Sequence, residues 1–130
     1  MTGTGNPSRL WIAIFTLFEL HNAEEILRDL PAWGRAHMPG LTGLTLGRPG
    51  FAAVIAALSA VLFAIAWAFR DRARATRRLQ MLFLAVMLAV FVWHIAISIH
   101  TRSPQPGVVT AAAFLPVYAW MLARLRRVAA

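Results

Sequence analysis

Four apolar runs carry most of this chain: residues 10–27, 51–69, 79–99 and 108–123, bounded by arginine, glycine or histidine. At ~1.5 Å per helical residue the 51–69 run covers about 28 Å, enough for the hydrocarbon core of a bilayer. The 108–123 run is short and holds Pro116, which predicts a kink. Residues 1–9 read as a loose tail, with Ser8 as a cap for the first helix. Pro31 blocks continuation of the first run, and residues 31–50, with three prolines and five glycines, predict a loop of turns. Trp33 in that loop reads as an interfacial anchor. A tight turn, Ser103-Pro104-Gln105-Pro106-Gly107, joins the last two runs. The pattern predicts an all-α protein: a single domain over residues 1–130, built as an integral membrane four-helix bundle.

The first run breaks its own pattern. It carries Glu19, His21, Glu24 and Glu25, and ionisable groups inside such a segment are costly unless they face protein, pair or carry function. His21, Glu24, Glu25 and Arg28 are spaced i, i+3, i+4 and i+7, which gathers them within roughly 100° of one helix face. Glu19 points elsewhere. Glu25 and His94 each lie fifteen residues from the start of their run, at Leu10 and Leu79. At ~1.5 Å per residue both rise to about 22 Å, the same depth. Ser98 follows His94 by one turn, His100 sits at the outer mouth, and Thr110 enters the last helix at a similar height. A polar pocket opening outward from the outer half of the bundle is expected.

Charge sets the orientation. All 13 basic residues are arginine, and eight lie in two clusters, Arg70 to Arg78 and Arg124 to Arg127. Clusters at the ends of apolar runs read as topology signals and as contacts to anionic headgroups, not as a nucleic-acid surface. Both clusters, and with four spans both termini, are expected on the cytoplasmic side of an inner (cytoplasmic) membrane. The first run holds Glu19 and His21 and is followed by no small-residue cleavage site, so it reads as a retained helix. Cysteine is absent, which excludes disulfides and thiolate metal sites.

Imidazole with carboxylates is a ligand set for a divalent transition metal such as zinc, iron or manganese. Helix bundles build metal sites from Glu and His at these spacings. The same groups suit acid–base chemistry or proton relay. The set assigned to metal binding or catalysis is His21, Glu24, Glu25 and His94, supported by Ser98, His100, Arg28 and Thr110. His37 is assigned no role. Plainer readings stand beside this one: Glu25 with Arg28 as a helix-end ion pair, and His94 as an interhelical hydrogen-bond partner.

His21-Asn22-Ala23-Glu24-Glu25, with His94, Ser98, Arg102, Pro106-Gly107, Thr110 and Pro116, resembles the HXXEE domain family of small polytopic membrane proteins. The resemblance spans nearly the whole chain. It implies that His21, Glu24, Glu25 and His94 are the polar centre, and it implies no reaction.

Three functions follow. The first is a membrane-embedded enzyme, metal-dependent or acid–base, acting on a lipid or other apolar small molecule. The second is a proton-coupled transporter or channel subunit. The third is a structural membrane subunit whose polar cluster only locks helix packing. The expected partners are the bilayer with its anionic headgroups and an apolar small molecule, with no nucleic acid; a homo-oligomer stays open.

Overall fold

A computed structural model describes residues 7–40 and 46–127. Among them the chain is all-helical, with five helices: α1 Pro7–Leu27, α2 Leu30–His37, α3 Arg48–Ala68, α4 Ala73–Thr101 and α5 Val108–Arg127. Four of these are the expected runs, extended at one or both ends. Ser8 falls inside α1 instead of capping it, and its side chain, like the tail 1–6, lies outside the described residues. The arginine-rich segment is helical from Ala73 onward.

The expected loop of turns at 31–50 needs correction, because its first part is helix α2. Local chemistry explains it. Asp29 adopts a left-handed backbone (φ 54°) that breaks α1, then its side chain accepts from the Ala32 amide at 3.1 Å to cap α2. Pro31 falls in the first turn of α2, where its missing N–H costs nothing. The proline that ends one helix thus starts the next. Trp33 then donates its indole N–H to Ser103 Oγ at 3.0 Å, tying α2 to the turn after α4.

That turn has a defined stop. The Arg102 amide donates to Ile99 and the Ser103 amide to Ser98, a Schellman arrangement with Arg102 left-handed (φ 52°). Pro104 follows, and the chain reverses into α5. Helix α5 continues through Pro116.

The core lies between α1, α4 and α5. Ile14 and Phe18 of α1, Leu84, Met87 and Phe91 of α4, and Ala111, Tyr118, Met121 and Leu122 of α5 form one buried cluster. Tyr118 donates its hydroxyl to the Ile14 carbonyl at 2.8 Å inside it. At the opposite end from the 103–107 turn, Arg77 donates to the Leu125 carbonyl at 2.6 Å, which brings the two arginine clusters together. Trp11 near the start of α1 meets Phe83 near the start of α4, so α1 and α4 run the same way.

Among the described residues three helices, α3, α4 and α5, are long and apolar enough to cross a membrane; α1 carries too many charges to count with them. Helix α3 is apolar almost all round yet nearly unburied, with Val54, Leu58, Val61, Phe63 and Trp67 exposed. Such a surface is costly in water and costs nothing against lipid tails.

Candidate metal centre

The depth match between α1 and α4 is realised as a contact. Glu25 Oε1 lies 3.0 Å from His94 Nε2 and 3.5 Å from His21 Nε2. The two imidazole rings stand edge to face, with centroids 4.8 Å apart and planes at 89°. One donor atom from each of His21, Glu25 and His94 lies within 4.8 Å of the other two. All three residues are buried, at 1%, 7% and 3% exposure.

These spacings suit a small cation. Zinc bonds of ~2.0–2.2 Å in tetrahedral geometry separate neighbouring ligand atoms by about 3.3–3.6 Å; the His21 to Glu25 distance of 3.5 Å falls in that range, and the His94 to Glu25 distance of 3.0 Å lies just below it, at hydrogen-bond length. His21 Nε2 and His94 Nδ1 have no hydrogen-bond partner although both are buried. Buried ring nitrogens left without partners are rare and call for an explanation. A bound cation would supply one for His21 Nε2, which faces the Glu25 carboxylate.

Gly107 closes the centre from above. Its φ is +95°, and a Cβ on it would stand 2.9 Å from Cε1 of both His21 and His94 and 3.1 Å from Cγ of Glu25. Gln105, Pro106 and Gly107 are all buried. The group is therefore roofed by the 103–107 turn, where the sequence pattern predicts a pocket open to the outside. Phe91 backs the site, its ring 5.0 Å from that of His21.

Glu24 goes elsewhere. Its carboxylate accepts from the Thr110 amide at 2.8 Å, the Thr110 hydroxyl at 2.7 Å and the Val109 amide at 3.3 Å. It thereby satisfies the free N–H groups in the first turn of α5 and meets the positive end of its dipole. Arg28, exposed, bonds the other oxygen of Glu24 at 3.0 Å. Thr110 also touches the centre, its hydroxyl 2.8 Å from His21 Nδ1. Adjacent glutamates in sequence thus serve two places, because successive residues on a helix diverge by ~100°.

The remaining expected residues divide. Ser98 donates to the His94 carbonyl at 2.7 Å and accepts from the Gln105 amide at 2.9 Å, so it holds the turn and not a ring. His100 is exposed and lines a surface cleft of about 650 Å³ with His37, Trp93 and Thr101, away from the centre. His37 stacks on Trp33 at 4.6 Å and bonds its carbonyl. Sequence reasoning gave no role to Gly107, Phe91 or Asn22, which is buried beside His21. Phe91 was findable, since it lies one turn before His94 on the same face.

A search of curated proteins gives no match, and a search of solved structures gives none. A family model described as "Protein of unknown function with HXXEE motif" matches residues 11–121. Of the motif residues, His21 and Glu25 lie at the centre and Glu24 is linked to it through Thr110, and the chain belongs to the HXXEE family.

Proposed function

We propose that this chain is a multi-pass membrane protein that holds a divalent transition metal on His21, Glu25 and His94 and uses it on a lipid or other apolar small molecule. One observation carries the reading: two imidazoles and a carboxylate converge, buried, at ligand spacing, with His21 Nε2 otherwise without a partner. Three protein ligands leave a coordination position free, the pattern of catalytic rather than structural zinc sites. A metal there would polarise a bound oxygen or activate a water. Substrate would arrive from the bilayer, which the exposed apolar surface of α3 is suited to face.

The roof formed by Gly107 favours a second reading, a polar lock that holds α1, α4 and α5 together. Elemental analysis separates the two. Protein purified in detergent without chelators is expected to carry about one transition metal per chain, removable by a chelator at low pH. A chain that arrives empty, and stays empty after incubation with zinc, iron or manganese salts, would leave the lock as the function of the cluster.

For orientation we take the arginine clusters as cytoplasmic and the centre as lying in the outer half of the membrane. The Arg77 to Leu125 bond, which gathers both clusters at one end, supports this. A cysteine replacing exposed Arg74 is expected to react with an impermeant thiol reagent only in inside-out vesicles. Reaction from the opposite face would invert the topology.

A further inference from the structure

Thr110 has one hydroxyl proton and three polar neighbours. Two of them, the Glu24 carboxylate at 2.7 Å and the Gly107 carbonyl at 3.2 Å, can only accept. The third is His21 Nδ1 at 2.8 Å. A proton turned to the ring would leave the hydroxyl and the Glu24 carboxylate oxygen 2.7 Å apart with no hydrogen between them, so the proton stays on the carboxylate side and the hydroxyl accepts from the ring. His21 Nδ1 therefore carries a hydrogen, and in the neutral ring Nε2 is a bare lone pair. That lone pair faces Glu25 Oε1 at 3.5 Å, with no donor to meet it.

We propose that Glu24 is a positioning residue and not a ligand: through Thr110 it fixes His21 in the Nδ1–H tautomer, which commits the Nε2 lone pair to a cation shared with Glu25 and His94. The proposal rests on the metal reading for its purpose, but the tautomer stands on the hydrogen bonds alone. The two glutamates of the motif then have separate tasks. Glu25 supplies negative charge inside the centre. Glu24 stays at its edge, anchors the first turn of α5 by two backbone amides, and presents Thr110 as the acceptor for His21. Metal-bound histidines commonly give their second N–H to a carboxylate or another acceptor, which fixes ring orientation and raises ligand basicity. Here a threonine hydroxyl is interposed, and its other bond supplies the carboxylate. A direct Glu24 ligand is disfavoured by the same geometry, since both of its oxygens are already bonded outside the centre.

The test uses the full chain in detergent, with histidine labelled by ¹⁵N, and zinc alone as the probe. At about pH 8.5, roughly two units above the ordinary histidine value, metal-free wild type is expected to show His21 as the Nδ1–H tautomer. Thr110→Val is expected to lose that signature and Thr110→Ser to keep it. Zinc affinity should fall about 10–100-fold in Thr110→Val and recover in Thr110→Ser, with one site per chain throughout. Glu24→Ala should weaken binding without abolishing it. A wild-type His21 protonated on Nε2, or a tautomer unchanged in Thr110→Val, overturns the proposal. So does a folded Glu24→Ala chain that binds no zinc at all, which would make Glu24 a ligand. Wild type that binds no zinc sinks the metal reading only, and the ¹⁵N spectrum still decides the tautomer.

Discussion

Replacing Glu25 with glutamine is expected to strip the chain of metal while leaving it folded. The side chain keeps its volume and the helix keeps its register, but the one negative charge among the three donors is gone. The amide brings an N–H₂ group into a space shared with His21 Nε2 and His94 Nε2, at 3.5 and 3.0 Å from the present oxygen. An amide oxygen is a much poorer ligand than a carboxylate for zinc or iron, and the site is too buried for water to make up the difference. Loss of a neighbouring support costs about 10–100-fold in metal affinity, so loss of the charged ligand itself should exceed about 100-fold. Competition against a chromophoric chelator measures the affinity, and circular dichroism checks the helices. Under the lock reading the same variant shows a lower thermal midpoint and no change in metal content, because there is none to lose. Glu25→Gln that binds zinc as wild type does would remove the carboxylate from the ligand set.

Gly107→Ala is expected to damage stability and the centre together. The backbone at φ +95° is a conformation L residues rarely hold, at a cost of order 1–3 kcal/mol. The added methyl would also press on both imidazoles at 2.9 Å, and overpacking of a tight site costs typically ~1–3 kcal/mol. The His21 ring cannot retreat freely, since it is held by Thr110 and backed by Phe91. The outcome expected is a loss of about 3 kcal/mol, seen as a thermal midpoint lower by on the order of 10 °C. Metal binding should weaken in the same protein. An alanine variant with wild-type stability and wild-type zinc affinity would mean that the 103–107 turn does not roof the centre.

These predictions show which parts of the chain were legible before folding. The apolar runs announce helices at residues 10–27, 51–69, 79–99 and 108–123, because hydrophobic length and terminal arginines are local properties. Residues 31–37 are helix where turns are expected, for an instructive reason. Proline and glycine content predicts turns, yet Asp29 and Pro31 together satisfy the rule for a helix start, and Trp33 gains its partner only from distant Ser103. The site was half legible. Spacing put His21, Glu24 and Glu25 on one face, and counting residues from each helix start put Glu25 and His94 at one depth. Counting cannot resolve which of two adjacent glutamates turns inward, since both lie within the same arc.

From sequence alone come the all-helical class, the membrane-like character of the long apolar helices, the HXXEE family and the match of Glu25 with His94 in depth. Each depends on composition, on helical repeat or on a residue motif, which a chain carries before it folds. Tertiary structure alone decided that Glu25 faces the imidazoles while Glu24 caps α5, that Gly107 seals the centre, and that His100 stands outside it. Those outcomes depend on how α5 is rotated and on where the 103–107 turn delivers its backbone. Only the packing of α5 against α1 and α4 sets them, through contacts such as Tyr118 to Ile14 that join residues far apart in the chain.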